Sequence, residues 1–285
     1  MPIEVTNCSD IAAEDLCAAL NLAFSDYVVP LQMDVSAFKD FQVQRGFSAE
    51  HSFVARSGNE IAAFWLASAP LKDYGNRCYT LSTGTVPAYR RKGLIKTLFH
   101  MVSNACQADG ASGLQHEVIT TNSGAVAVYE AMGFRRAREL LVYKVPAELH
   151  SVSVADGFEI RPLPVYDLPA HIEVFEDVQA TPQNSRAAIG SQPETTKIMG
   201  AFQQDGALIG WGAIYQGGAV AQIAVRKDVR KQGVGTALVG GLARAVDTEL
   251  LSFMNVDAEA TTLTAFLTAL GGEEVLRQYE MRLQF

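Results

Sequence analysis

Two stretches set glycine among clustered cations just ahead of an apolar run: Arg90-Arg91-Lys92-Gly93-Leu94-Ile95 and Arg230-Lys231-Gln232-Gly233-Val234-Gly235. Each follows a strand-like segment and opens a helix-like one, so unpaired backbone N–H groups and the positive end of a helix converge on one spot. Such a spot binds anions, phosphate above all, because glycine admits close approach of the backbone while the flanking Arg and Lys add charge. Neither stretch is a G-x-x-x-x-G-K-[ST] loop or a three-glycine dinucleotide fingerprint. Taken alone, the pattern also describes a solvated helix cap.

The elements that must position these turns are legible from periodicity. Ser9 or Asp10 caps a helix running to about residue 24, and a second short helix follows Asp34. Residues 52–55, 61–68 and 77–86 read as strands in a meander. A helix runs from the first basic turn to about Asp109-Gly110, a strand covers 114–120, and a helix over 123–132 ends at Gly133 as a left-handed cap. A strand over 140–145 follows. The second half repeats this order, with strands at 208–215 and 219–225, a helix from the second basic turn to about 247, a strand at 250–256, a helix at 260–270 and a strand at 275–283. Gly93 and Gly233 are 140 residues apart, and Gly133 and Gly271 are 138 apart. Two landmarks offset almost equally, in the same order, indicate an internal duplication with its junction near 146–157.

Length and composition agree. At roughly 150 residues per domain, 285 residues make two domains. With 48% hydrophobic and 19% charged residues the chain is an ordinary globular one, which excludes disordered, collagenous and disulfide-dense classes. The net charge of −8 is uneven: residues 1–150 carry 13 basic and 15 acidic side chains, residues 151–285 carry 10 and 16. Neither half has the basic excess of a nucleic-acid binder. The four cysteines have no C-x-x-C pair, so reduced thiols in a cytoplasmic protein are expected, with no metal site. No signal peptide is read at the N-terminus, and the uncharged run 208–225 is read as two strands around Gly217-Gly218 rather than a membrane span. The phenylalanines at 24, 38, 41, 47, 53 and 64, with Trp65 and Trp211, are expected mostly in cores.

In the first half the basic turn is followed, after a helix and a strand, by Asn122-Ser-Gly-Ala125-Val-Ala-Val-Tyr129-Glu-Ala-Met-Gly133-Phe134. This order resembles the GNAT family of acyl-CoA-dependent N-acyltransferases over about residues 10–145. In the second half Arg230-x-x-Gly233-x-Gly235 fits the family loop better than the first, where Ile95 holds the final small position, but Leu267 stands opposite Tyr129, Ala260 opposite Asn122 and Gly272 opposite Phe134.

The resemblance implies an α/β fold of two tandem GNAT domains, 1–147 and 157–285, each a mixed, mostly antiparallel sheet with flanking helices. It implies acetyl-CoA in a wedge between the strand ending at Val86 and the strand 114–120. The pyrophosphate would rest on the N–H groups of Arg91, Lys92, Gly93, Leu94, Ile95 and Lys96, and the pantetheine arm would pair with Thr85 and Val86. A main-chain N–H would then face the developing oxyanion. Tyr129 is implied as the general acid that protonates the departing thiolate, and Asn122 either bonds the cofactor arm or caps its helix. Glu117, on the strand flanking the wedge, is the candidate base for the attacking amine, directly or through water, or else a strand residue paired with a surface cation; its neighbour His116 points to the opposite face, and the resemblance adds ordered water as an alternative base. Tyr27 and Met33 lie where the family shapes its acceptor pocket. Val225, Arg230, Gly233 and Gly235 are implied as a second cofactor loop in a degenerate copy.

The expected activity is N-acetylation of a primary amine, on a small molecule or a peptide, by direct attack in a ternary complex. No nucleic-acid or membrane partner is expected, and the chain is expected to be a monomer or homodimer. Two alternatives stay open: catalysis in the second domain, with a group such as Tyr279 giving the proton, or acyl-CoA binding without catalysis. Separate Gly93→Glu and Gly233→Glu variants are expected to part them, since only the loop of the transferring domain is needed for thiol release from acetyl-CoA; equal loss in both would count against a division of labour.

Overall fold

The computed structural model describes residues 2–27, 31–147, 157–168 and 175–285; most of the expected junction, 148–156, lies outside them. In chain order the elements are β1 (Ile3–Asn7), α1 (Ala13–Ala23), α2 (Val35–Gln44), β2 (Phe53–Ser57), β3 (Glu60–Leu71), β4 (Arg77–Thr85), α3 (Leu94–Ala108), β5 (Gly113–Ile119), α4 (Ser123–Ala131) and β6 (Arg135–Pro146). They continue as β7 (Phe158–Pro162), α5 (Arg186–Ser191), β8 (Thr196–Gln203), β9 (Leu208–Tyr215), β10 (Ala219–Val225), α6 (Val234–Val246), β11 (Leu250–Asp257), α7 (Thr261–Ala269) and β12 (Glu273–Gln284). The uncharged run is the β9–β10 hairpin, turned at Gly218 with φ of 82°. Among the described residues no helix is long and apolar enough to cross a membrane.

The chain divides into two compact units: unit 1 holds 1–118, 122–137 and 280–285, and unit 2 holds 119–121 and 138–279. Sequence order places residues 138–147 with the first half and 280–285 with the second. The sheets place them otherwise, because a strand joins whichever edge its backbone groups can pair with, and a hydrophobic pattern does not record which edge that is.

In unit 1, β1 to β4 form an antiparallel meander, β4 pairs β5 in parallel, and the last residues of β12 lie along β5, with the Phe285 N–H on the Ser112 carbonyl at 2.9 Å. α1 and α2 cover one face: Leu16, Leu20, Phe38 and Phe41 pack on Phe64, Leu66, Tyr79 and Leu81. Asp34 caps α2 as expected, accepting from the Ala37 N–H at 2.8 Å. α1 starts later than expected, at Ala13 after an uncapping Ala12, because Cys8 is tied to Ala49 and Ser52 and holds Ser9 and Asp10 in the preceding turn. On the other face α3 buries Leu94, Leu98, Val102 and Cys106, and Phe99 meets Trp65 with ring centroids 5.8 Å apart. The Trp65 indole N–H donates to Thr80 Oγ1 at 3.0 Å, so this fully buried ring leaves no donor unpaired. The four cysteines are free and buried, and burial pushes the Cys8 thiol up to about 12.

In unit 2, β6 and β11 are antiparallel, β11 and β10 parallel, and β10, β9, β8 and β7 antiparallel in turn. β1, β7, β8 and α5 have no counterpart in the sequence reading, since β1 and β7 are short, mostly exposed strands without clean alternation. α6 is buried nearly all round, from Val234 through Val246.

Gly113 shows how tightly the final strand closes unit 1. A Cβ there would collide with the Leu283 carbonyl oxygen, on backbone that cannot rotate away. Gly113→Ala is therefore expected to lower unfolding stability by about 1–3 kcal/mol, as overpacking does; an unchanged urea midpoint would refute the close pairing.

Candidate active site

The feature that makes a site in each unit is a parallel strand pair that stays together only briefly. β4 and β5 pair over Arg77↔Gly113, Cys78↔Leu114 and Tyr79↔Gln115, and β10 and β11 over Ala219↔Ser252 and Val220↔Phe253. Beyond these residues each pair separates, leaving a gap in the sheet whose backbone groups need other partners.

In unit 1 the Val86 N–H donates to the Ala62 carbonyl at 2.9 Å. That corrects the expected pantetheine contact: Val86 is spent inside the sheet. Since ladder bonds alternate along a strand, Thr83 and Thr85 are the residues whose backbone faces the gap. The same alternation in unit 2 turns Val225 to its gap, because the Arg226 N–H is spent on the Ile209 carbonyl at 2.9 Å.

The basic turns adopt one conformation twice. Arg91 and Lys231 both have φ of 62°, and Gly93 and Gly233 have φ of 76° and 85°. The first bonds inside the helices are Thr97 N–H to Gly93 and Ala237 N–H to Gly233, so the N–H groups of Leu94, Ile95 and Lys96, and of Val234, Gly235 and Thr236, have no acceptor within the helix. Arg91, Lys92 and Lys96 are exposed around the first set, with the Lys92 ammonium 4.9 Å from the centre of the Tyr89 ring, whereas the Leu94 side chain is buried in the core and offers only its N–H. Because Gly93 and Gly233 sit in the left-handed region, a side chain at either position strains the turn as well as blocking it. A carboxylate at Lys96 or Thr236 tests the same anion cradle without that strain.

The first arginine of each turn does a different job from the expected one. Arg90 donates to the Thr85 carbonyl at 3.2 Å, to both oxygens of Asp26 at 2.7 Å and to the Ala23 carbonyl at 3.0 Å. Arg230 makes the matching set with the Val225 carbonyl at 3.0 Å, Asp177 at 2.7 Å and the Phe175 carbonyl at 2.9 Å. These bonds hold the Asp26 and Asp177 carboxyls below the usual carboxylate range. Arg230 was expected to contact cofactor; its guanidinium instead fastens the strand end to the segment behind it. Sequence spacing does not reveal this clamp, since Asp26 is 64 residues from Arg90.

Tyr129 sits on α4 with its hydroxyl 2.7 Å from Thr83 Oγ1, across the gap from β5. Burial raises its pKa above that of an ordinary phenol, so it keeps its proton through neutral pH. Under it lies His116, with ring centroids 4.0 Å apart, and Phe134 at 4.6 Å from the imidazole. His116 is 2% exposed, neither ring nitrogen has a hydrogen-bond partner, and burial lowers its pKa to about 3. Glu117 faces the other side of β5, as strand alternation requires, and accepts from the Tyr79 hydroxyl at 2.6 Å. Burial, then the Glu117 charge, raises the Tyr79 pKa. Asn122 does cap α4, accepting from the Ala125 N–H at 3.1 Å, and its amide also donates to the Tyr27 hydroxyl at 3.2 Å. Tyr27 and Asn122 are thus brought together. The Met33 N–H donates to the Asn21 side chain of α1 at 3.0 Å and its carbonyl accepts from the Asn21 amide at 2.8 Å.

Unit 2 contains a cleft of about 960 Å³ along its gap, lined by Val225, Arg230, Gly233 and Gly235 on the turn side and by Asn255 and Phe266 among others. Tyr279 is not among its lining residues. Leu267 is fully buried where unit 1 has Tyr129. β11 is one residue longer than β5 between corresponding bonds (Ser112 to Thr120 against Glu249 to Ala258), and the extra residue is a bulge between Phe253 and Val256, where Asn255 has φ of 58°. The bulged pair Met254-Asn255 therefore stands where unit 1 has Glu117. Among the described residues no cluster of His, Cys, Asp and Glu is arranged to hold a metal.

Each unit thus sets a strand pair that splits beside a helix start whose first N–H groups have no acceptor within the helix. Comparison with known proteins gives the family: the Acetyltransferase (GNAT) family model matches residues 16–134 and the Acetyltransferase (GNAT) domain model matches 163–275, and the chain belongs to the GNAT acetyltransferases, with two such domains in tandem. Among solved structures, a tandem GNAT protein from the clavulanic acid biosynthesis pathway, determined without AcCoA, is similar over 99% of this chain and 98% of its own, at 18% identity and a TM-score of 0.71. A GCN5-related N-acetyltransferase from Sphaerobacter thermophilus is similar over 99% and 95%, at 17% identity and a TM-score of 0.70. At these identities the likeness is one of fold. No curated protein sequence matches the chain.

The His116 imidazole makes a pH prediction. Its folded pKa of about 3 lies below the ordinary 6.5, so protonation favours the unfolded chain; its contribution is complete above pH 6.5 and is lost as pH falls toward 3. Across that window wild type is expected to lose about 1.4 kcal/mol per pH unit more than His116→Phe. Parallel stability curves for the two proteins would refute the buried neutral ring.

Proposed function

We propose that the chain transfers an acetyl group from acetyl-CoA to a primary amine of a small molecule or peptide, by direct attack with both substrates bound, and that unit 1 performs the transfer. The observation that carries this is the placement of the Tyr129 hydroxyl in the gap beside Thr83, on the same strand whose end meets the basic turn. The donor set suits the cofactor: three helix N–H groups without helical acceptors, the exposed cations Arg91, Lys92 and Lys96, and the gap-facing backbone of Thr85. When bound, acetyl-CoA supplies the activated thioester.

The chain's own groups supply the rest. Leu94, Ile95 and Lys96 N–H groups hold phosphate charge at the positive end of α3. Tyr129, kept protonated by burial, gives a proton at the sulfur as it leaves. Glu117, anchored by Tyr79, takes the proton of an incoming ammonium directly or through water. Asn122 caps α4 at the gap and its amide holds the Tyr27 hydroxyl, which borders the acceptor. The buried free thiols support a reducing, cytoplasmic setting.

A second reading puts transfer in unit 2, and its open cleft favours it. Against it stand Leu267 and the Met254-Asn255 bulge, which provide neither a proton donor nor a carboxylate where unit 1 has both.

Tyr129→Phe is expected to reduce kcat by about 10²–10⁴-fold, the usual worth of a positioned acid, with little change in the KM for acetyl-CoA. A free-thiol assay over an amine panel measures both. Unchanged turnover across pH would remove Tyr129 from the role.

A further inference from the structure

Unit 2 keeps what holds an anionic cofactor, yet its gap is closed from behind. The arginine clamps supply the correspondence: Asp26 and Asp177 make the same bonds to Arg90 and Arg230, so residues 30–33 and 181–184 follow the clamp at equal distances. In unit 1 the described end of this stretch is bonded back onto α1, through Met33 and Asn21. In unit 2 the stretch is a turn laid across the gap. Asn184 donates to the Met254 carbonyl at 2.9 Å on β11, and Gln222 of β10 donates to the Asn184 carbonyl at 2.7 Å. Asn255 donates to Thr181 Oγ1 at 3.0 Å, and the Tyr215 hydroxyl of β9 donates to the Gln183 carbonyl at 3.1 Å. Asn255 is itself held from the far side, accepting from the Gln278 amide at 2.8 Å.

Both strands of the separated pair are thus bridged by one buried turn. Thr181 is 0% exposed and Asn184 5%. Asn184, Gln222 and Asn255, which hold the turn to the two strands, also line the cleft. The left-handed Asn255 fits the same reading: a strained residue persists where surrounding bonds over-determine it, and here they fix the seal.

We propose that unit 2 retains an acyl-CoA molecule without transferring its acyl group, because the 181–184 turn permanently occupies the acceptor side of its gap. This rests on the reading that the chain binds acyl-CoA. Its consequence is a two-ligand chain with one transferring site, in which the second ligand is a resident of the fold.

Calorimetric titration of the full chain with acetyl-CoA tests it. Lys96→Glu and Thr236→Glu each place a carboxylate in a helix's first turn, which the helix accepts and a pyrophosphate does not. Wild type is expected to bind two equivalents, Lys96→Glu one, and the double variant none. The equivalent held by Lys96→Glu is expected to be recovered as intact acetyl-CoA after incubation with the amine panel. Binding of a single equivalent by wild type that Lys96→Glu abolishes overturns the proposal, as does thiol release by Lys96→Glu. Absence of binding by wild type would overturn the acyl-CoA reading beneath it. Hydrogen exchange tests the seal without substitution: the Asn184 amide, bonded to the Thr181 carbonyl at 2.9 Å, is expected to exchange as slowly as β10 with acetyl-CoA and amine present. Exchange at loop rates would show that the turn opens, and would overturn the seal.

Discussion

The rest of the structure depends on one break in backbone pairing. Where β4 leaves β5 after Tyr79↔Gln115, peptide groups that a continuous sheet would satisfy must find partners elsewhere or be left for a ligand. The chain answers at each position in turn. The Thr85 carbonyl accepts from Arg90, and the Thr83 hydroxyl meets that of Tyr129. What remains turned into the gap is a short extended segment that an amide-bearing chain can join as a strand would, next to a helix start that attracts phosphate.

The two units solve the same problem and then diverge. Both carry the clamp, the left-handed basic residue and the left-handed glycine, so the shape of the turn beside the gap is common to them. They differ on the strand past the split. Unit 1 keeps an ionisable carboxyl and a phenol, whereas unit 2 has a bulge, a buried Leu267 and a turn bonded across the opening. A single inserted residue in β11 is enough for this: it shifts side chains along the gap and creates the left-handed Asn255 that the turn grips.

Within unit 1 the two faces of β5 divide the chemistry. His116 and Glu117 are adjacent in sequence and on opposite sides of the sheet. The side under α4 is apolar and neutral, with an imidazole that burial keeps uncharged beneath the phenol. The side under α1 and α2 is where the carboxyl lies, anchored by Tyr79. Strand alternation thus gives the phenol of Tyr129 and the carboxyl of Glu117 separate surroundings on the two faces of one strand.

Much of this was legible in the sequence: the duplication, the basic turns, the order of strands and helices, the motif from Asn122 to Phe134, and the loss of Tyr and Asn in the second copy. These are local, and local periodicity and spacing report local structure. Which strand completes which sheet was not legible, because residues 138–147 and 280–285 carry no mark of the edge they pair with. Nor was the use of Val86, Arg90 and Arg230, whose partners are set by strand register and by residues far along the chain. The Tyr27–Asn122 contact joins two positions that the sequence assigned to separate tasks. The seal over the second gap was invisible for the same reason. Sequence by itself determined that there are two related units, each with a basic glycine turn, because repeated residue types at repeated spacing are a property of the chain. Only the tertiary structure decided that a turn is bonded across the second gap, because that depends on hydrogen bonds between segments that meet only after folding.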